Sequence, residues 1–141
     1  MVINPFVKFQ GLEFFGTWEY AKGRNALENG EGSTYGKLDN RQTHQTAGEV
    51  LYRFGKGEKF YVGARYITLS SNLAFGQSSS NPGTLQKVSI DRTSIGGGWF
   101  ITRNVLLKGE YVNQDYNDYP DYERQAGGNF KGIVIQGSIA F

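Results

Sequence analysis

The chain has 141 residues, enough for one domain, with 15 Lys and Arg against 13 Asp and Glu, a single His and no Cys. A formal net charge of +2 gives no electrostatic grip on nucleic acid, and the absence of Cys excludes disulfides and thiolate metal sites. Aromatic residues reach 15% although mean hydropathy is only −0.48, and no run of about 18 apolar residues offers a transmembrane helix.

Apolar residues recur at spacing two, which predicts six strands, each near the roughly 9–11 residues a tilted strand needs to cross a bilayer. In the first stretch, Phe6 to Ala21, Val7 and Phe9 share one parity, whereas Leu12, Phe14, Gly16, Trp18 and Tyr20 share the other. A bulge at Gly11, or a turn hidden in the stretch, reconciles them. In Gln45 to Gly55, Val50, Tyr52 and Phe54 oppose Glu49, Leu51 and Arg53. Lys59 to Ser70 sets Phe60, Val62, Ala64 and Tyr66 against Tyr61, Gly63, Arg65 and Ile67. In Val88 to Ile101, Thr93, Ile95, Gly97, Trp99 and Ile101 oppose Arg92, Ser94, Gly96, Gly98 and Phe100. Val88 and Ile90 fall on the wrong face there, which predicts a change of parity near Asp91. Asn104 to Asp115 alternates Val105, Leu107, Gly109 and Tyr111 with Leu106, Lys108, Glu110, Val112 and Gln114. Lys131 to Phe141 closes the chain with Ile133, Ile135, Gly137, Ile139 and Phe141 on one face, and Val134, Gln136, Ser138 and Ala140 on the other.

Short and long connections alternate. Gly55-Lys56-Gly57-Glu58 and Thr102-Arg103-Asn104 read as tight turns, while Lys22 to Thr43, Ser71 to Gln86 and Tyr116 to Gly128 are long and polar. Short periplasmic turns and long outer loops are the asymmetry of an outer-membrane barrel. The aromatics sort by depth on that scheme. Phe6, Phe9, Phe54, Phe60, Trp99, Phe100 and Phe141 fall at the periplasmic rim, and Trp18, Tyr20, Tyr66 and Tyr111 toward the outer half. Two such girdles are what interfacial aromatics produce.

The expected fold is therefore all-β, an antiparallel up-and-down transmembrane β-barrel spanning 1–141 with no second domain. Its polar face carries Lys8, Glu49, Arg53, Arg65, Arg92, Lys108, Glu110, Gln114 and Gln136 as pore-lining candidates, with Glu13 and Glu19 beside them. Such a lumen screens solutes by size and charge; the same ions paired with one another would instead fill a narrow, non-porous barrel. Ile133, Ile135, Gly137, Ile139 and Phe141 look like the C-terminal signal by which the outer-membrane insertion machinery recognises its substrates, so Phe141 is expected to be the natural C-terminus. A long oily edge strand in a water-soluble protein would be an aggregation hazard.

Other features carry less. The acidic run Asp115 to Glu123 matches no calcium-loop spacing. Gly96-Gly97-Gly98 precedes no helix and is no phosphate cradle. His44 has no nucleophile partner, so no catalysis, cofactor or metal is expected.

The framework as a whole resembles outer-membrane porins of the Bacteroidota type. The resemblance is carried by Ile3 to Thr17, by Leu51-Tyr52-Arg53-Phe54-Gly55-Lys56 with Lys59 to Tyr66, by Ile95-Gly96-Gly97-Gly98-Trp99-Phe100, by Lys108 to Tyr116, and by the closing Phe141. It implies passive diffusion of small hydrophilic solutes, a lipid bilayer as partner, and the C-terminal portion of a larger barrel in the outer membrane of a Gram-negative bacterium. Met1 to Pro5 lacks the basic start and apolar core of a signal peptide, which places the leader and earlier strands outside this sequence. Six strands are too few to close a bacterial barrel, which starts at about eight. The chain is thus expected to be a fragment, or to share its barrel with further copies, or to hide two strands. The competing functions are a non-porous anchor, adhesin or assembly partner, and a soluble barrel that binds a small apolar ligand with its oily faces turned inward.

Overall fold

The computed structural model describes residues 1–23, 40–75 and 84–141. They form a single antiparallel sheet of eight strands: β1 Val2–Ile3, β2 Phe6–Phe9, β3 Leu12–Gly23, β4 Arg41–Phe54, β5 Phe60–Phe75, β6 Thr84–Thr102, β7 Val105–Asn117 and β8 Asn129–Ile139. Sequential strands pair as a meander from β3 to β8, and β1 and β2 lie end to end along the far side of β3. Pro5 interrupts only the assignment: Gly16 N donates to Pro5 O at 2.9 Å and Tyr20 N to Met1 O at 2.9 Å, so residues 1–9 run as one strand. No pairing joins β8 to β1 or β2 among the described residues, so the sheet is open.

Two expectations about parity are corrected. Gly11 is not a bulge. Gln10 (φ 46°) and Gly11 (φ 83°) are the two central residues of a hairpin that pairs Phe9 with Leu12. Both φ values are positive, as the hairpin turns whose twist matches the strands require. This hairpin adds one strand to the six predicted, and the break at Pro5 between β1 and β2 makes the count eight. Nor does parity change near Asp91. The β5–β6 ladder runs without a break from Phe60 opposite Trp99 to Phe75 opposite Thr84, and the irregularity on β6 lies between Phe100 and Thr102, at the turn. Val88 and Ile90 therefore do share a face with Arg92 and Ser94.

The strands also outrun the prediction, with β5 at 16 residues and β6 at 19. Much of the predicted loop Ser71 to Gln86 is ladder; the middles of this loop and of Lys22 to Thr43 lie outside the described residues. The turn at Gly55 to Glu58 stands where expected, closed by Glu58 N to Gly55 O at 3.1 Å.

Among the described residues a one-layer sheet builds almost no core: Val88 and Val112 are the buried apolar side chains, beside a buried Ser94. The two faces are nevertheless unequal. Along β5, Tyr61, Gly63 and Arg65 are half-buried while Val62, Ala64 and Tyr66 between them are exposed, and β7 repeats this with Lys108 and Glu110 against Leu107 and Tyr111. The ionic face is therefore the more enclosed, inner one, and the oily face the more open, outer one.

Candidate functional site

The inner face collects every pore-lining candidate. Strand register puts them in four adjacent rows across the sheet. Arg53, Tyr61, Gly98, Lys108 and Gln136 make one row, and Lys8, Glu13, Leu51, Gly63, Gly96 and Glu110 make the next. Glu49 lies opposite Arg65 in the third, and Arg92 opposite Gln114 in the fourth. Rows are two residues apart, so the four span roughly 20 Å along the strands.

Within that span the ions pair. Glu13 is a hub: Lys8 Nζ lies 2.9 Å from its Oε1, and Arg53 reaches both of its oxygens, Nε at 2.9 Å and Nη2 at 3.4 Å. Arg53 is held further by the rings of Tyr61 and Phe100, 5.8 and 5.6 Å from its Cζ. Arg65 Nη2 meets Glu49 at 2.5 Å. Glu110 takes Lys108 at 2.8 Å and Arg92 at 3.7 Å. Lys8 also reaches Glu58 at 3.6 Å, so five cations share four carboxylates here. A cavity of about 150 Å³ opens among Glu49, Arg53, Tyr61, Arg65, Lys108 and Glu110.

Glu13 was only a secondary candidate by sequence. Its signal was present, since it lies two residues after a hairpin glycine, but its Lys8 partner appears only once the Gln10–Gly11 turn is recognised. Glu13→Gln is expected to cost about 1–2 kcal/mol. That is the lower part of the range for a hydrogen bond to a charged group, because Lys8, at 46% exposure, is well solvated. The fall in the urea midpoint on unfolding checks it.

Two glycines make room for this network. A Cβ on Gly98 would sit inside the Tyr61 ring, 2.6 Å from Cζ, and one on Gly96 would lie 2.6 Å from Glu110 Cβ and 2.8 Å from its Cα. Tyr61 therefore lies flat across β6, and β7 approaches β6 closely where Glu110 must turn inward.

The outer face is the converse. Phe14, Trp18, Val50, Tyr52, Phe54, Phe60, Val62, Tyr66, Ile95, Trp99, Leu107, Tyr111, Ile133, Ile135 and Ile139 are all exposed there. At the short-turn end Tyr52, Phe54, Phe60 and Trp99 stack in sequence, centroids 6.1, 5.8 and 6.1 Å apart. Ile133, Ile135, Gly137 and Ile139 of the predicted C-terminal signal lie on this face, and Phe141, beyond the end of β8, is fully exposed.

The apolar belt runs obliquely to the rows. On β3 it covers Leu12 to Tyr20 and is centred on Gly16. Register carries Gly16 through Gly48, Tyr66, Thr93 and Asn113 to Lys131 on β8. Yet the β8 belt, Ile133 to Phe141, is centred six residues away on Gly137. Six residues are roughly 20 Å along a strand, and five strand spacings are roughly 24 Å across. The strands therefore lean about 40° from the normal to a level belt, the tilt range of membrane barrels.

Beyond the belt, toward the long connections, the pattern inverts without any break in the ladder. The inner face of β5 and β6 becomes apolar with Ile67, Leu69, Leu73, Phe75, Val88 and Ile90, while Thr68, Ser70, Asn72, Ser89 and Asp91 take the outer. The β7–β8 connection folds over this inner face. Tyr119 packs edge-on against Phe75 and Tyr116, centroids 6.3 and 6.0 Å away, and Gln86 Nε2 donates to Asp118 O at 2.7 Å. Burial, with Tyr116 beside it, pushes the Tyr119 phenol above its ordinary pKa, so the connection packs around a neutral hydroxyl. Oxygens of the acidic run are used within the sheet: Asp115 accepts from Asn113 at 3.1 Å and from Asn129. His44 lies on the outer face against Tyr20, ring centroids 4.7 Å apart.

Comparison of the chain with protein-family models, with curated proteins and with solved structures finds no match.

Proposed function

We propose that this sheet is a segment of an outer-membrane β-barrel of a Gram-negative bacterium, and that its ionic face lines a lumen through which small hydrophilic solutes or ions diffuse. The slanted belt carries the reading. A water-soluble surface has no reason to keep its exposed aromatic and aliphatic side chains level along a line whose normal lies about 40° from the strands, whereas a bilayer imposes that line on every strand it crosses. The belt's height agrees. The nine residues from Leu12 to Tyr20 rise roughly 20–25 Å at that tilt, close to the apolar band of such barrels. The charged rows lie at the same depth on the opposite face, where only a lumen keeps them out of hydrocarbon. A soluble barrel with an apolar ligand would need Val62, Ile133 and Ile135 enclosed, and they are 50%, 76% and 75% exposed on the open face.

Reconstitution into phosphatidylcholine vesicles tests this. Trp18 and Trp99 lie on the outer face on opposite sides of mid-depth, each about two residues from it. Each, in a single-tryptophan variant, is expected to be quenched by lipids brominated along the acyl chains and less by lipids brominated near the headgroup. Absence of quenching in both variants refutes the membrane reading.

The ion pairs favour one alternative within the same architecture. Each charge in the Glu13, Glu49 and Glu110 clusters has a partner, as in a barrel that is packed solid and serves as an anchor or assembly partner. Conductance across a planar bilayer separates the two: an open lumen passes current, with the cation excess favouring anions, and a packed one does not.

A further inference from the structure

We propose that an odd number of further membrane strands completes this sheet, the simplest case being one strand running opposite to β2 and β8 and seated between them. The inference rests on the membrane reading and follows from direction, hydrogen bonding and length at the two open edges.

Direction comes first. Residues 1–9 run from the long-connection end of the sheet, where Val2 lies opposite Glu19, to the short turn at Gln10–Gly11. The last strand, β8, also runs from the long-connection end, where Asn129 lies opposite Asp115, to the short-turn end, where Ile139 lies opposite Val105. With β1 and β2 counted as one, the edges are the same way up. If they met each other, the seam would be parallel in an otherwise antiparallel sheet. A second copy placed edge to edge has the same fault, because its first strand beside this β8 is again parallel. Inverting the copy repairs the seam but sends its long polar connections to the opposite side of the bilayer. An odd number of intervening strands has neither defect.

Both edges are also equipped to pair. On the first strand, Met1 O and Pro5 O accept from β3, so in an antiparallel ladder the odd residues face β3 and the even ones face outward. The amide that Pro5 lacks is therefore missing from the inner ladder. The outward row, Val2, Asn4, Phe6 and Lys8, keeps all its N–H groups. Proline ordinarily blunts an edge by removing an outward donor, and here it does not. On β8, Gly128 O accepts from Tyr116 N, and Ala140 N donates to Asn104 O, both at 2.9 Å. Even residues thus face β7, and Lys131, Ile133, Ile135, Gly137 and Ile139 present an unbroken outward row. Ile133, Ile135 and Ile139 are 72–76% exposed, against 45–62% for Leu107, Val62 and Ile95 on interior strands, the excess being the side left open by a missing neighbour. In hydrocarbon each unpaired backbone group costs several kcal/mol.

Length fixes the size of the occupant. Interior strands reach 13–19 residues from β4 to β7, but β8 has 11 and the first strand pairs over residues 2–9. The edges are thus confined to the belt, and the strand that covers them needs about 9–11 residues with alternating apolar and polar faces.

Cysteine cross-linking in phosphatidylcholine vesicles tests the inference. Val7 and Ile139 lie within about one residue of equal depth, the slant placing mid-depth near Asn4 on the first strand and at Gly137 on β8. The full chain carrying Val7→Cys and Ile139→Cys is expected to form no disulfide on oxidation. A peptide with the β7 sequence, Val105 to Asn117, carries Leu107→Cys and runs in the required direction. It is expected to cross-link to either single-cysteine variant at least fivefold more than a peptide of the reversed sequence. A disulfide within one chain, a disulfide between copies, or equal capture of both peptides overturns the inference. Tryptophan quenching in the same vesicles separates the failures: a quenched chain that closes on itself refutes the added strand alone, and an unquenched chain refutes the membrane reading.

Discussion

Replacing Ile95 by Arg is expected to destabilise the folded chain by about 2–3 kcal/mol in a bilayer, yet to cost within about 0.5 kcal/mol if the sheet lived in water. Ile95 is 62% exposed and points outward from an interior strand. By the slant of the belt it lies about two residues from mid-depth on β6. A surface site of that exposure ordinarily tolerates a charge, since the new side chain is simply solvated. In hydrocarbon the guanidinium is paid for by snorkelling and local thinning of the lipid, and the cost falls toward the rims. The control is on the same strand. Thr93→Arg lies one row nearer the long connections, close to the upper boundary on β6, and is expected to cost less than half as much. Urea titration of both variants in vesicles, followed by tryptophan emission, measures the difference. Equal and small effects at the two positions would remove the ground for a bilayer.

The second large effect concerns the close approach of β6 and β7. A methyl group on Gly96 meets the Gly109 carbonyl and lies 2.8 Å from Glu110 Cα. These are backbone atoms of the neighbouring strand and cannot swing aside without opening the ladder. Gly96→Ala is therefore expected to cost about 3 kcal/mol, the upper end of overpacking penalties. At Gly98 the obstacle is the Tyr61 ring, the far end of a side chain with two free torsions. Gly98→Ala is expected to cost about 1 kcal/mol, and removing the ring with Tyr61→Ala in the same chain should then cost less than it does alone. Gly109→Ala, with no heavy atom within 4 Å of the added methyl, serves as the neutral control. Midpoints of urea unfolding for the four variants and the double variant check the order. A Gly96→Ala chain as stable as Gly109→Ala would mean that the two strands are not this close.

The alternation of faces was readable from single strands, because a period of two needs no partner. So was the sorting of connections into short and long, which rests on local turn chemistry. The polar positions from Lys8 to Gln136 were therefore assigned to one face without coordinates. Three things were left open or misread. The Gln10–Gly11 hairpin stood only as one of two ways to reconcile the parity of Phe6 to Ala21, because glutamine is not a residue that announces a positive φ. The inversion at Val88 and Ile90 read as a bulge because a hydrophobic pattern reports surroundings and not register. The backbone continues while its environment changes. The slant of the belt depends on which residue of one strand faces which residue of the next, and that relation exists only between strands.

The height of the β5–β6 hairpin has a consequence of its own. Its ladder continues for eight paired rows past Tyr66 and Thr93, from Ile67 opposite Arg92 to Ala74 opposite Leu85, and ends with a ninth at Phe75 opposite Thr84. At roughly 3.3 Å per row this is on the order of 30 Å of paired backbone, polar on its outer side and stiffened from within by Leu69, Leu73 and Val88. In the proposed orientation it stands as a mast above the lipid headgroups. Antibodies and other large bodies arriving from the medium strike it first, so an epitope grafted onto Ser70 or Asn72 can be counted on intact cells while the buried part of the wall stays untouched.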